Sequence, residues 1–234
     1  ITDYAFEIAP GFTTPDWAKG AVMYQIFVDR FYNGDPSNDV EDGEYIYIGE
    51  PTTRVRDWNK YPADMGVREF YGGDLKGVLE KLDYLQDLGV EVIYFNPLFV
   101  SPSNHKYDIQ DYDYIDPHYG EIVEDGGENL PLGAVDNLHA TKYQKRVTDR
   151  KNLEASNRLF IRLVEELHKR GMKVILDGVF NHCGSFNKWM DRERIYEDRK
   201  VMPKVPTFLQ TAHTAVSLSF MIMMEAAGPT MGVM

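Results

Sequence analysis

GMKVILDGVFNH, residues 171–182, is the stretch on which the fold is decided. Met172, Lys173, Val174, Ile175 and Leu176 form a short run, largely apolar, of the kind a strand buried on both faces carries. It follows Gly171, a residue suited to ending a helix, and it stops in the polar cluster Asp177, Asn181 and His182. Upstream, Leu159, Phe160, Leu163, Val164 and Leu167 recur at helical spacing, so an amphipathic helix between residues 153 and 171 feeds the strand. The same unit occurs earlier. Asp74 is placed to cap a helix with Leu75, Val78, Leu79, Leu82 and Leu85 on one face and Gly89 at its end, and VIYF, residues 92–95, follows as a buried strand stopped by Asn96 and Pro97. Earlier still, VMYQIFV, residues 22–28, reads as another strand buried on both faces. Strand, helix, strand, helix, strand implies a parallel sheet. Doubly wound sheets and (β/α)₈ barrels both satisfy that order, so periodicity leaves the α/β architecture open between them.

The 234 residues are 43% apolar, an ordinary globular composition. With 37 acidic against 25 basic residues the formal charge is −12, which disfavours nucleic acid and anionic membrane as partners. Cys183 stands alone, so no internal disulfide marks an oxidising compartment, and a cytoplasmic setting is expected. No charged segment followed by an apolar one precedes Trp17, so no secretory leader is read there. Residues 1–20, rich in Gly, Pro and Thr, read as a linker, and residues 116–150 as a long polar excursion after the second strand.

Chemistry-bearing residues gather after each strand. Asp177 and His182 follow the third, where a carboxylate and an imidazole are either satisfied structural groups or part of a site. His105, Tyr107 and Asp108 lie in SPSNHKYD, residues 101–108, after the second; aromatic rings stack on sugars and polar groups bond their hydroxyls. Asn33, Asp35, Asn38 and Asp39 follow the first, with Gly72 and Asp74 downstream, and hard oxygen ligands of this kind suit Ca²⁺. Their spacing is not that of an EF-hand loop, and the composition alone also describes a tight turn.

Four ordered blocks carry a resemblance: MYQIFVDRFYNGDPSND (23–39), FYGGDLKGVLEKLDYLQDLGVEVIYFNPLF (70–99), SPSNHKYDIQDYDYIDP (101–117) and GMKVILDGVFNH (171–182). Together they resemble the α-amylase superfamily, glycoside hydrolase family 13, and within it the neopullulanase, cyclomaltodextrinase and amylopullulanase branch. DGVFNH matches the family's D-x-x-x-N-H region; Val28 and Ile109 depart from the usual Pro and Thr. The resemblance implies a partial (β/α)₈ TIM barrel of about three β/α units, with residues 21–182 as its first part and 183–199 as the start of an inserted second domain. It implies that Tyr107 stacks on a bound sugar, with His105 nearby, His182 bonding the sugar's hydroxyls and Asp177 supporting the site. It further implies a calcium site from Asn33, Asp35, Asn38, Asp39, the Gly72 carbonyl and Asp74. The activity implied is retaining hydrolysis of α-1,4 or α-1,6 bonds in an α-glucan oligosaccharide or polysaccharide. The alternatives are a transglycosylase on the same barrel and a non-catalytic amylase-like domain.

Retaining glycosidases need two carboxyl groups about 5 Å apart. The family's G-x-R-x-D nucleophile pattern is absent after His182, so this chain is expected to be an inactive fragment. From Val201 onward only Lys204 and Glu225 are charged, and six of the ten Met fall there. Joining the last base of each codon to the first two of the next permits AEGAYVSADSPYRSFFKFYDNDG across residues 203–225, with several letters forced, and that string resembles the family's second-domain segment. Residues 200–234 are therefore expected to be an aberrant, frameshifted and unstructured tail.

Overall fold

A computed structural model describes residue 11, residues 13–196 and the backbone of residues 221–224. The central sheet comprises β1 (Met23–Ile26), β6 (Val92–Phe95), β9 (Lys173–Asp177) and β10 (Met221–Met224), in the order β1-β6-β9-β10. β1 pairs parallel with β6, Ile26 opposite Phe95, and β6 pairs parallel with β9, Phe95 opposite Leu176. The C-terminal ends of these three strands therefore share one rim. Short pairs lie outside it: β2 (Ile46–Tyr47) with β3 (Glu50–Pro51), β4 (Thr53–Arg54) with β5 (Glu69–Phe70), and β7 (Phe99–Val100) with β8 (Asp111–Ile115).

Helices α1 (Leu75–Glu80), α2 (Leu82–Asp87), α3 (Thr141–Thr148) and α4 (Arg150–Lys169) complete the described regular structure, together with single 3-10 turns. The Asp74 carboxylate caps α1 by accepting from the Gly77 amide at 2.6 Å, and Asp149 caps α4 by accepting from Lys151 at 2.9 Å. Leu159, Phe160, Leu163 and Leu167 on α4 pack with Leu75, Val78, Leu82 and Leu85 and with Ile26, Ile93, Phe95 and Val174 of the sheet to form the main core. Each such side chain contributes about 1.5–3 kcal/mol on burial. A second cluster, with Tyr45, Phe70, Tyr143, Phe186 and Tyr196 at its centre, lies under the loops at the rim.

Several expectations need correction. β1 is not buried on both faces: Met23 is 51% exposed and Gln25 also faces solvent, because β1 has a single strand neighbour. Val28 leaves the strand and opens a 3-10 turn, Val28–Arg30. The helix expected from Asp74 to Gly89 divides at Lys81, whose φ of −101° and ψ of 8° are not helical. The excursion expected over 116–150 contains α3, whose Tyr143 and Val147 are fully buried. Of the tail expected to be unstructured, the backbone of β10 pairs antiparallel with β9, Met221 opposite Asp177; the rest of it lies outside the described residues, as do residues 1–10 and 12 of the expected linker.

Candidate functional site

Three loops leave the shared rim, after β1, β6 and β9, and each carries one of the residue clusters singled out above. Asp177 ends β9. Its Oδ2 accepts from the Tyr94 phenol of β6 at 2.8 Å, and its Oδ1 from the Val179 amide at 3.1 Å. Tyr107 abuts the same carboxylate, and its hydroxyl is pushed up to about 12, first by burial and then by Asp177. Two phenols thus converge on one carboxylate from the neighbouring strand and its loop. The His105 ring stands 5.9 Å from the Tyr107 ring at 39°. The Tyr107 amide donates to His105 Nδ1 at 3.1 Å, so that nitrogen carries no proton and Nε2 remains as a donor. Burial holds the imidazole below its ordinary value, consistent with this neutral form.

His182 is exposed, and its carbonyl accepts from the Tyr112 phenol at 2.6 Å. The segment beyond it is clipped to the Tyr107 loop: the Gly184 amide donates to Ile109 O at 2.9 Å and Asn187 Nδ2 to the same oxygen at 3.1 Å. A Cβ on Gly184 would lie 2.1 Å from Asp108 O, so the two loops touch through backbone. Tyr107, His105, Asp177 and His182 therefore stand on one rim. Trp189, stacked on Tyr112 at 5.8 Å, adds a partly exposed aromatic face that the sequence did not single out.

The oxygen-rich cluster is also brought together. Asp74 Oδ2 accepts from the Asp35 amide at 2.7 Å, and Asn33 Nδ2 donates to Asp39 Oδ1 at 2.8 Å. Asn38 Nδ2 donates to Gly120 O at 3.0 Å. Gly72, at φ +83°, lies so close that a Cβ there would sit 2.3 Å from Asp39 Oδ1 and 2.6 Å from Asn33 Nδ2. Two buried amide oxygens, Asn33 Oδ1 and Asn38 Oδ1, accept no hydrogen bond, while the neighbouring Asp39 Oδ2 is paired with the Arg54 guanidinium. Burial, aided by Asp74, pushes Asp39 up to about 6 against the pull of Arg54 and Asn33. Orphaned amide oxygens, unusual inside a protein, are among the donors a hard cation takes. The oxygen chemistry of these residues fits Ca²⁺, and two of the carboxylates already hold cationic side chains: Asp35 is engaged by Ser37 and by Lys76 at 2.5 Å, and Asp39 by Arg54. Among the described residues, no three His, Cys, Asp or Glu side chains are grouped so as to hold a metal ion by themselves, so a cation here would depend on the amide and backbone oxygens as well.

The sequence matches the family description "Alpha amylase, catalytic domain" over residues 25–127 and 155–205. The chain belongs to this family. Among curated members, it is 45% identical over 173 residues to neopullulanase 2 of Thermoactinomyces vulgaris, covering 74% of this chain and 21% of that protein. To an amylopullulanase of Thermoanaerobacterium saccharolyticum it is 39% identical over 201 residues, covering 80% of this chain and 13% of the other. The chain thus spans about a fifth or less of the length of these relatives. Among solved structures, the type III pullulan hydrolase from Thermococcus kodakarensis superposes with a TM-score of 0.58 at 30% identity, over 85% of this chain and 29% of that one. Alpha-amylase family kinship explains why the clusters sit after successive parallel strands, since open α/β sites are built at the carboxyl ends of strands. No helix among the described residues is long and apolar enough to cross a membrane.

Proposed function

We propose that this chain forms the sugar-binding side of an α-glucan hydrolase, with the sheet as the first three units of a (β/α)₈ barrel. The observation that carries the reading is the joining of Tyr107 and Tyr94 to Asp177 at the rim where the exposed His182 also stands. Tyr107 offers a ring face to a glucosyl unit, His105 Nε2 and His182 offer donors to its hydroxyls, and Asp177 orients both phenols. The relatives' printed names, neopullulanase and amylopullulanase, favour an α-1,4- or α-1,6-linked glucan. The two carboxyl groups that a retaining mechanism needs are not found in the family's pattern after His182, so these 234 residues bind and do not cleave.

Asn33, Asn38, the Gly72 carbonyl and Asp74 would hold Ca²⁺, with Asp39 joining on release from Arg54 and Asp35 on release from Lys76. The ion would supply positive charge to orphaned oxygens and fasten the loop after β1 to the start of α1. A relative named intracellular maltogenic amylase, 38% identical over 184 residues, and the single cysteine support an intracellular setting.

Calorimetric titration of the chain with maltotriose tests the reading. Saturable binding that Tyr107→Ala weakens at least tenfold is expected, with no reducing sugar released. Absence of binding, or binding indifferent to Tyr107→Ala, overturns it.

A further inference from the structure

Between the two substrate-facing residues lies one that points the other way. Lys106 has φ +60° and is fully buried, while His105 and Tyr107 on either side reach the surface. Its Nζ donates to Ser101 O at 2.8 Å and pairs with Asp116 Oδ2 at 2.6 Å. The pair opens a chain of charges through the second core. Asp116 Oδ1 lies 2.9 Å from His118 Nδ1, His118 Nε2 lies 2.8 Å from Glu44 Oε1, and Glu44 Oε2 accepts from Arg146 Nη1 at 2.9 Å. Arg146 Nη1 also donates to Asp39 O at 3.0 Å, and its Nη2 to Asp125 Oδ2 at 2.8 Å. All five side chains from Lys106 to Arg146 are at most 3% exposed.

Such a chain is a poor way to gain stability. Desolvating ions offsets most of their attraction, and apolar replacements of like volume are often as stable. What it supplies is geometry. A lysine in the left-handed region is held there against its own preference, and the two Nζ contacts close residues 101–106 into a loop whose neighbours on both sides are thrown outward.

We propose that Lys106 is a positioning residue for carbohydrate binding, held by the buried chain Asp116–His118–Glu44–Arg146 so that the Tyr107 and His105 rings are fixed before the sugar arrives. This rests on the reading of Tyr107 and His105 as sugar-facing. Lys106 touches no substrate. It removes the loop's freedom, so that binding need not order it, and the gain lies in affinity.

The test compares the unmodified chain with Lys106→Met, which keeps the stem and loses the ammonium. Asp116 retains His118 and the Ser101 amide, at 3.0 Å, as partners. Two readouts are taken: the maltotriose dissociation constant by calorimetry, and the ring ¹H–¹³C signals of His105 and Tyr107. The expected result is affinity about tenfold weaker, with both ring signals shifted and broadened, in a chain whose near-ultraviolet dichroism is unchanged. A control, Leu163→Ala in α4, lowers stability and leaves affinity and ring signals as they were. Should Lys106→Met not fold, Lys106→Met with Asp116→Asn, which removes one charge of each sign, is read instead. Unchanged affinity and ring signals in a folded variant overturn the inference while the unmodified chain still binds. Failure of the paired variant to fold also overturns it, because the pair is then a requirement of the fold. If the unmodified chain binds no maltotriose, the glucan reading falls and this inference with it.

Discussion

The Tyr94 phenol donates to Asp177 Oδ2 at 2.8 Å, tying the second parallel strand to the third at the rim. Tyr94→Phe removes one donor from a half-buried carboxylate and leaves its packing intact. A loss of about 1 kcal/mol is expected from the urea midpoint. Sugar affinity falls with it, since Tyr107 leans on the same carboxylate.

Calcium should raise stability through the orphaned oxygens. At a free concentration one hundred times the dissociation constant, linkage gives about 2.7 kcal/mol, read as a higher melting temperature. Asp39→Asn and Asn33→Ala should each abolish the shift, and magnesium, which prefers a smaller octahedral shell, should give less. An equal calcium shift in both variants would refute the assignment.

Gly72→Ala should be among the most damaging small substitutions. At φ +83° with Asp39 Oδ1 only 2.3 Å from the added Cβ, both the backbone and the cluster must give way. A loss of about 1–3 kcal/mol and of calcium binding is expected, measured by denaturant titration with and without the ion.

Two buried groups, one a base and one an acid, both make the fold less stable as pH rises. Burial opposes the charged His118, but Glu44 and Asp116 outweigh it and raise the imidazole above its ordinary 6.5. Its contribution is fully present below that value and is lost as pH rises through the raised one. His118→Gln should therefore flatten the alkaline fall in the urea midpoint.

Asp29 accepts from the Tyr71 amide at 3.0 Å, and burial pushes its carboxyl up to about 7 against those amides and the Lys106 and Arg30 charges. The folded state holds the proton more tightly than the unfolded one, so stability should decline from about pH 4 to 7 and be level below. Asp29→Asn, which can still accept from Tyr71, should remove that slope.

The parallel order of β1, β6 and β9 was legible because each strand is a short apolar run preceded or followed by a helical stripe with a cap, as at Asp74. The rim clusters were legible because residue types that carry chemistry recur after each run. Lys106, Asp116, His118, Glu44 and Arg146 were not. They lie in segments without periodicity, and each is meaningful only beside partners up to 102 residues away. α3 was missed for a related reason: Lys142, Lys145 and Arg146 make it look solvated, yet Arg146 is turned inward and Tyr143 is fully buried. The division at Lys81 has no counterpart in the sequence pattern, since the apolar positions keep helical spacing across it from Val78 to Leu85.

The line of charges from Lys106 to Arg146 also imposes an order on biosynthesis. Lys106, Asp116 and His118 are synthesised close together, but the Glu44 carboxylate waits for the guanidinium at 146, and a carboxylate sheds its water readily only once its opposing cation is in place. The Glu44 end of the line therefore stays hydrated on the ribosome until α3 has emerged, and nascent chains halted before residue 146 should keep the segment around Glu44 open to protease.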